Sequence, residues 1–477
     1  MFKYYYDDTN PKSIELYAKN LIGKTFNEVI NIYSEYIFET SNENTKHKGN
    51  LGDLIEKHFF HYSPNSNPNA DFKEAGVELK VTPYKQNKNG SFSAKERLVL
   101  TMINYNDIVK ENFYNSHLWA KCSLILLVYY LYNKDTKNKL DYRIDYAKLF
   151  SPPEKDLEII KQDFYTIINK IKSGQAHTLS ESDTNYLGAV TKAANSTKLT
   201  SQPFSDKLAK PRAFSFKTSY MTYVLNNYII PNKDTYIKNE SIISCSKDLK
   251  NKTFNQIVID KLSKFIGKSK NDLIKEFKLD DAKNNKAILN LISLRMLGLK
   301  SNSAEEFIKA NIKIKALRIN RKNKIVESMS LPAFKFKDLI NEDWETSNVF
   351  KYFDEQKFLF VVFKEDSNGN YIFSSCKFWN MPYEDLNIIV KDGWSKIQNT
   401  LKSGVILKKG KFVSNNFPKK SDNPIIHIRP HAQKSAYIFK DGTSYGNINR
   451  DANELPDGQW MTTQSFWLNN SYILDQL

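Results

Sequence analysis

The sequence predicts an α/β protein of two tandem domains, each a mixed β-sheet flanked by helices. Two observations predict this class: stretches of strand and helix periodicity that follow one another along the chain, and an internal repeat. A length of 477 residues is too long for one ordinary hydrophobic core, which favours two or more domains. A hydrophobic content of 40% and an aromatic content of 13% are sufficient for packed cores.

The first elements follow from apolar spacing and from turn residues. Apolar residues at helical spacing predict helices over Ile14–Thr40, Gly52–Phe60 and Asp156–Ser173. Ser63–Asn69 is dense in Pro and Asn, which predicts a loop. Asn87–Gly90 predicts a turn, and the apolar run Ser123–Tyr132 predicts a buried central strand.

Residues 77–81 form the most informative stretch, because apolar and charged side chains alternate there. This is the period of a half-buried strand, and it places Glu78 and Lys80 together on the face opposite the apolar residues. Asp71 lies seven positions upstream of Glu78. Two carboxylates and an ammonium in this arrangement can hold a hard divalent cation and a water beside a phosphodiester. The alternative interpretation is a solvated strand face, since Glu-x-Lys is common on strands.

An internal repeat divides the chain into two halves. Four segments recur in the same order: Ile22–Ile30 as Ile266–Ile274, Glu96–Ile108 as Glu327–Leu339, Leu124–Tyr130 as Phe358–Phe363, and Asp156–Ile160 as Asp385–Ile389. Repeated segments in one order indicate a duplicated domain. The sequence therefore predicts domains at residues 1–232 and 246–477.

The second copy of the charged strand differs where it matters for chemistry. Its counterpart, Glu306–Ala316, keeps apolar residues at Ile312 and Ile314, but Lys313 stands where Glu78 stands in the first copy. Replacing a carboxylate by an ammonium removes a metal ligand and adds a repelling charge. The sequence therefore predicts that the second domain keeps the fold and lacks the chemistry.

The charge balance favours an anionic partner. The formal net charge is +17 and the pI is about 9.3, which favours nucleic acid, although a Lys-, Asn- and Ile-rich composition is an alternative explanation. The three cysteines form no CxxC pair, so a disulfide framework is not expected. No signal peptide and no apolar run of about 20 residues is visible, so we expect an intracellular, soluble protein without a membrane partner. Motifs of ATP and dinucleotide binding are absent from the sequence.

Three segments resemble the MutH-like family of the restriction-endonuclease superfamily: Lys48–Glu56, Glu74–Lys80 and Thr191–Ser196. Within them, Asp71 with Glu78-Leu79-Lys80 is similar to the D…ExK motif of that superfamily. The tandem layout, with Met461–Trp467 near the end, is similar to the branch of type II restriction enzymes that cut at GATC. In that branch a catalytic MutH-like domain is followed by a MutH-like domain without catalytic residues.

The resemblance implies a set of catalytic and metal-binding residues. Asp71, Glu78, Lys80 and Glu56 would be catalytic. Mg²⁺ would be held by Asp71, Glu78 and the main-chain carbonyl of Leu79, with water and a phosphate oxygen. The products would carry a 5′-phosphate and a 3′-hydroxyl. The alternatives for Asp71 and Glu56 are a loop-end cap and an exposed helix residue.

The resemblance also implies DNA contacts and partners. Lys48, Lys192 and Arg429 would contact DNA, although Val190-Thr191 replaces the Arg-Pro that often precedes the Lys192 position in the family. The partner would be double-stranded DNA bearing GATC, in two copies, bound by a monomer with a possible dimer on DNA. A cognate DNA methyltransferase and a bacterial cytoplasmic location complete the expectation. The alternatives are a GATC-directed mismatch-repair nickase and a non-catalytic DNA-binding protein.

Overall fold

A computed structural model of the chain describes residues 6–33, 51–63, 69–192, 198–230, 241–243, 245–285, 287–300 and 303–477. The chain separates into two compact units. The first unit comprises Met1–Phe254 and Ser303–Asn311, and the second comprises Asn255–Asn302 and Ile312–Leu477. The stretch between the two expected domains lies largely outside the described residues, so the division into 1–232 and 246–477 stays a prediction.

The first unit is built on a mixed four-stranded sheet. Its helices before the boundary are α1 (Pro11–Ala18), α2 (Phe26–Tyr33), α3 (Leu51–Leu54), α4 (Tyr105–Ile108), α5 (His117–Cys122), α6 (Glu154–Lys172), α7 (Thr218–Val224) and α8 (Asp248–Asn251), with π-helical turns at Ile55–Phe59 and Leu225–Ile229. Its strands are β1 (Glu78–Gln86), β2 (Phe92–Ala94), β3 (Leu98–Met102), β4 (Ile125–Leu131), β5 (Ile144–Phe150), β6 (Leu187–Thr191), β7 (Thr200–Gln202), β8 (Ser205–Ala209) and β9 (Arg212–Phe216).

The order of the main sheet is β2-β1-β4-β5. Strand β1 runs parallel to β4, and the other two pairs are antiparallel. Strands β3, β9 and β6 form a separate antiparallel sheet. The apolar run of β4 makes it the buried centre, because residues 125–129 are fully buried. Leu126 and Val128 belong to one apolar cluster with Ile55 and Phe59, which fixes the helix before β1 against the sheet.

The second unit repeats the parallel and antiparallel pairing of the first. Helix α12 (Glu305–Lys309) belongs to the first unit. The elements of the second unit are α9 (Phe254–Ser263), α10 (Lys270–Glu276), α11 (Ile288–Met296), β10 (Ile312–Ile319), β11 (Met329–Ala333), α13 (Phe336–Leu339), α14 (Asn348–Glu355), β12 (Lys357–Glu365), β13 (Tyr371–Trp379), a π-helical turn (Asp385–Val390), α15 (Lys391–Ser403), β14 (Ile426–Pro430), β15 (Tyr437–Ile438), β16 (Ser444–Tyr445), α16 (Ile448–Asp451), β17 (Ala452–Glu454), β18 (Trp460–Thr462), β19 (Gln464–Leu468) and α17 (Asn470–Asp475). Strand β10 is parallel to β12, and β12 is antiparallel to β13. The prediction of α/β architecture with mixed sheets flanked by helices is confirmed.

One glycine contact recurs in both units. Gly23 has φ +87° and donates its N–H to the carbonyl of Ile144 on β5, over 2.8 Å. Gly267 has φ +90° and donates in the same way to Phe373 on β13, over 2.9 Å. A left-handed backbone at this point favours glycine, so the repeated Ile-Gly-Lys sequence has a structural cause.

The expected single helix over Ile14–Thr40 was wrong. Helix α1 ends at Ala18, a short 3₁₀ turn follows, and α2 starts at Phe26. The interruption coincides with Gly23, whose positive φ cannot continue a right-handed helix. The last part of the expected helix, residues 34–40, lies outside the described residues.

Within the part of the chain that the structure describes, no helix has the length and apolar character needed to cross a membrane.

Candidate active site

A tight turn before β1 brings Asp71 back onto the start of the strand. Phe72 and Val77 exchange two main-chain hydrogen bonds, of 2.9 and 3.2 Å. Gly76 lies inside this turn with φ +65°. The turn lets Asp71 Oδ2 accept the Leu79 N–H over 2.9 Å, while the Asp71 N–H donates to Glu78 Oε2 over 3.3 Å. Two residues seven positions apart are therefore joined directly.

Glu78 is the buried centre of the cluster. Its exposed fraction is 1%, which contradicts the alternative interpretation of a solvated strand face at this position. Helix α5 covers this face with Lys121. Lys80 Nζ lies 2.6 Å from Glu78 Oε1, and Lys121 Nζ lies 2.8 Å from Glu78 Oε2. Burial raises the pKa of Glu78, and the ammonium of Lys80 opposes that rise.

Lys121 was missed by the sequence interpretation. Its ammonium also lies 3.7 Å from Asp71 Oδ1, so it contacts both carboxylates of the motif. The sequence signal that could have identified Lys121 is its place in the helix that precedes the buried strand β4. Leu118, Lys121 and Cys122 are all buried, which places a lysine on an apolar helix face. A buried lysine needs an anionic partner, and here Glu78 supplies it.

Glu56 lies close enough to the motif for the charges of Asp71, Glu78 and Lys80 to change its pKa. Burial first, and then the negative charge of Asp71, raise the pKa of Glu56 to about 7. No hydrogen bond or ion pair joins the side chain of Glu56 to the motif among the described residues. The structure thus places Glu56 beside Asp71, Glu78 and Lys80 without direct contact.

The carboxylates suit a hard divalent cation with few protein ligands. No group of three His, Cys, Asp or Glu side chains that could hold a metal ion by itself occurs among the described residues. The Tyr62 hydroxyl is buried without a hydrogen-bond partner in the described part of the chain, and burial followed by the charges of Asp71, Glu56 and Glu78 raises its pKa. Concentrated negative charge beside an unpaired hydroxyl fits a metal that keeps waters in its coordination shell, as Mg²⁺ does.

Two of the three residues expected to contact DNA, Lys192 and Arg429, lie among the described residues, and both are exposed. Lys192 follows β6 and is exposed. Arg429 lies exposed on β14, with its guanidinium carbon 4.1 Å from the ring centroid of Trp467. Lys48 lies outside the described residues. Lys192 makes no direct contact with Glu78 among the described residues.

The second unit has the corresponding strand without the corresponding cluster. Lys313 on β10 pairs in register with Phe358, as Glu78 pairs with Ile125 in the first unit. Its ammonium lies 4.9 Å from the ring centroid of Tyr352 on α14. Burial, and then repulsion from Lys315, lower the pKa of Lys313.

The counterpart of Asp71 has a structural role. Glu306, on α12 of the first unit, accepts the main-chain N–H groups of Ile242 and Ile243, each over 2.9 Å. Its carboxylate also accepts the Ser241 hydroxyl over 2.7 Å. Both acidic positions of the motif are thus changed or engaged elsewhere in the second copy.

Comparison with known proteins gives the same picture of the first unit. The family profile described as "DNA mismatch repair enzyme MutH" matches residues 60–163, which contain Asp71, Glu78, Lys80 and Lys121. The DNA mismatch repair protein MutH of Shewanella baltica (strain OS155 / ATCC BAA-1091) is 29% identical over 182 residues, covering 38% of this chain and 79% of that protein. The MutH protein of Shewanella woodyi is 27% identical over 223 residues, covering 46% of this chain and 93% of that protein.

A mixed sheet with the D…ExK cluster at the start of β1 therefore defines a MutH-like nuclease of the restriction-endonuclease superfamily. The similarity to one relative extends over both units. The type II restriction enzyme Sau3AI of Staphylococcus aureus is 39% identical over 461 residues, covering 90% of this chain and 92% of that protein. The chain belongs to this family of type II restriction enzymes, which are site-specific deoxyribonucleases.

Proposed function

We propose that this enzyme makes Mg²⁺-dependent cuts in both strands of DNA at GATC. The observation that supports this most is the cluster in which Lys80 and Lys121 each contact one oxygen of Glu78, beside an Asp71 carboxylate fixed by the Leu79 N–H. The similarity to Sau3AI over both units favours a restriction enzyme with two such domains. The GATC site follows from the resemblance of the motifs to the GATC-cutting branch.

Asp71, Glu78 and the carbonyl of Leu79 would hold the Mg²⁺. Bound there, the ion would offset charge on the phosphate and lower the pKa of a coordinated water. The residues of the chain supply the remaining features. Lys80 and the buried Lys121 neutralise charge as the water oxygen bonds to phosphorus and the bond from phosphorus to the 3′ oxygen breaks. The 3′ oxygen takes up a proton, which leaves a 5′-phosphate and a 3′-hydroxyl.

Lys80 has two candidate roles: it either accepts a proton from the attacking water or stabilises negative charge as an ammonium. Its 2.6 Å contact with Glu78 places the Lys80 side chain beside the carboxylate that would hold the metal, which supports a role in stabilising negative charge there. We therefore assign Lys80 the electrostatic role. Glu56 would hold a second ion or a water bound to the metal.

The second unit would bind another GATC site and act as an allosteric effector. The replacement of Glu78 by Lys313, and the engagement of the Glu306 carboxylate with residues 241–243, support a binding role without cleavage. Cleavage of a plasmid with one GATC site should then be slow and should accelerate when a GATC oligonucleotide is added. Equal rates on one-site and two-site plasmids, unaffected by the oligonucleotide, would contradict the effector role.

A nickase is the second candidate, because the MutH proteins are similar to part of the chain. Incubation of the purified protein with supercoiled plasmid, with Mg²⁺ or with EDTA, separates the candidates. We expect linear products with Mg²⁺ and intact plasmid with EDTA. Open circles alone would indicate a nickase, and an intact plasmid under both conditions would indicate a non-catalytic DNA-binding protein.

The remaining expectations about partners stay predictions. They are the use of two DNA copies, a monomer that can pair on DNA, a cognate methyltransferase and a bacterial cytoplasmic location. End-sequencing of digests made on methylated and unmethylated DNA would show the cut position and the methylation sensitivity.

A further inference from the structure

A cavity of about 340 Å³ lies within the second unit, beside the strand that corresponds to the catalytic strand of the first. Residues 315–318 of β10 form one wall, and residues 283–285 with the start of α11 form another. Its volume is sufficient for a group of nucleotide size. By the repeat, Lys315 occupies the position of Lys80.

The cavity carries excess positive charge. Lys270, Lys283 and Lys315 line it, and none of them forms an ion pair within the described part of the chain. Arg318 also lines the cavity, but its side-chain Nε lies 2.6 Å from Glu327 Oε1. Glu327 Oε2 accepts the main-chain N–H of Arg318 over 2.7 Å. The Glu327 carboxylate therefore pairs with Arg318, and the three ammonium groups have no counter-ion among the residues that the structure describes. Burial lowers the pKa of Lys315, so an anion beside it would stabilise its charged form.

The neutral side chains of the cavity also present donors. Asn290 accepts the Ala316 N–H on its carbonyl oxygen, over 3.2 Å, and Asn285 accepts the Ala287 N–H in the same way, over 2.9 Å. The carbonyl ends of both amides are thus engaged, and their NH₂ groups are the remaining polar functions. Ammonium groups together with amide donors are the groups that bind phosphate oxygens.

We propose that this cavity binds a phosphate group, supplied by the DNA that the second unit binds under the proposed function. The degenerate strand would then keep its contact with the DNA backbone after losing its metal ligands. A free phosphate compound has the same chemistry and is the other source to be distinguished.

The test uses the full chain with Glu78→Ala, so that DNA is bound and not cut. Binding of a GATC duplex is measured in EDTA over a range of salt concentrations, and binding of inorganic pyrophosphate is measured by calorimetry. For Lys283→Met combined with Lys315→Met, we expect the slope of log affinity against log salt to fall by about 1 to 2, because each lost phosphate contact contributes about 0.9. Pyrophosphate binding should weaken at least about 10-fold.

Two controls separate the site from general charge and folding effects. Lys391→Met combined with Lys411→Met removes two exposed lysines of the same unit outside the cavity and should leave both measurements unchanged. The corresponding Lys→Arg pair in the cavity keeps the charge and should retain the salt slope. Circular dichroism of each variant would verify folding.

The outcomes are distinct. Loss of pyrophosphate binding with an unchanged DNA salt slope would establish a phosphate site but overturn DNA as its source. Unchanged pyrophosphate and DNA binding in the cavity variant, or an equal loss in the exposed-lysine control, would overturn the site itself. Because no measurement involves cleavage, failure of the parent protein to cut plasmid would count against the proposed function and leave this test intact.

Discussion

At the scale of single residues, the candidate active site depends on a buried carboxylate shared by two lysines. Glu78 loses hydration on burial, and Lys80 and Lys121 replace it with charged hydrogen bonds of 2.6 and 2.8 Å. An ion pair of this kind is costly to break, because removal of one partner leaves the other buried and uncompensated. Each member of the cluster therefore affects the positions of the others.

Glu78→Ala and Lys80→Ala should each reduce the cleavage rate by about 100-fold or more, because the first removes a ligand of the proposed Mg²⁺ and the second removes an ammonium that offsets charge on the reacting phosphate. Binding of GATC duplex in EDTA should persist. Plasmid cleavage and fluorescence anisotropy measure the two effects. Lys85→Ala, on the exposed end of the same strand, is the control and should cut at the parent rate. A Glu78 or Lys80 variant that cuts near the parent rate would show that the site is assigned wrongly.

Lys121→Met should also slow cleavage by about 100-fold, although the sequence motif does not include this residue. The change removes the ammonium that lies between Glu78 and Asp71 and keeps a side chain of similar length. Single-turnover cleavage with Mg²⁺ provides the rate. Lys110→Met, at an exposed position of the same unit, controls for the loss of a positive charge. Equal rates for the two variants would exclude Lys121 from the site.

The residues of the motif could be predicted from sequence, whereas their environment could not. Asp71, Glu78 and Lys80 follow from strand periodicity and from the family resemblance, and the structure places them in one cluster. The burial of Glu78 and the part played by Lys121 depend on α5 packing over β1, which is a tertiary contact between segments about 40 residues apart. No local pattern in the sequence specifies that contact.

At the scale of secondary structure elements, the turn between Phe72 and Val77 determines where Asp71 lies. The turn needs the left-handed backbone of Gly76, at φ +65°. A Cβ atom at this position would meet no atom within 4 Å, so the requirement for glycine is conformational and not steric. The position of the Asp71 carboxylate in the active-site cluster therefore depends on the φ angle of Gly76.

Gly76→Ala should destabilise the protein by about 1–2 kcal/mol, the cost of a left-handed conformation for an L-residue. It should also slow cleavage, because relief of the strain shifts Asp71. Gly90→Ala is the matched control, since Gly90 has φ +81° in another turn and also has no atom within 4 Å of a Cβ. We expect thermal denaturation to show similar losses of stability and plasmid assays to show slower cleavage only for Gly76→Ala. Slowing of both variants to the same degree would argue against a specific role for the turn.

Element types followed from the sequence better than element boundaries did. The predicted strand Ser123–Tyr132 is β4, Ile125–Leu131, and the predicted helix Asp156–Ser173 is α6, Glu154–Lys172. A continuous apolar run predicted the strand, and apolar residues at helical spacing predicted the helix. Both patterns are long enough that few other structures would bury them. The prediction of one helix over Ile14–Thr40 was wrong because the Gly23 N–H donates a hydrogen bond to a strand about 120 residues away. Local periodicity does not reveal such a contact.

At the scale of the whole molecule, α12 belongs to the second copy of the repeat by sequence and to the first unit by packing. Its Lys309 is 2% exposed and lies 2.7 Å from Asp156 on α6 of the first unit, with Glu305 at 2.6 Å. Burial raises the pKa of Asp156, and the ammonium of Lys309 opposes that rise. The stability of the first unit thus depends on residues that by sequence belong to the second copy.

Lys309→Met should destabilise the first unit by about 3–5 kcal/mol, because it leaves Asp156 buried without its cation. Urea denaturation monitored by tryptophan fluorescence would measure the loss. Adding Asp156→Asn should recover part of it, since the uncompensated charge is then removed. Lys110→Met serves again as the exposed control. If Lys309→Met and Lys110→Met unfold at the same urea concentration, the ion pair contributes nothing to stability.

The placement of α12 has a consequence for dividing the gene. A duplicated sequence suggests that a cut at the repeat boundary would release two independent modules. A fragment that ends at residue 232 would lack Lys309, the partner of Asp156, and also Glu306, whose carboxylate binds residues 241–243. Such a fragment should be markedly less stable to proteolysis than the same unit supplied with residues 241–311. The boundary of the repeat and the boundary of the folded unit therefore do not coincide, so the two copies cannot be exchanged as separate modules.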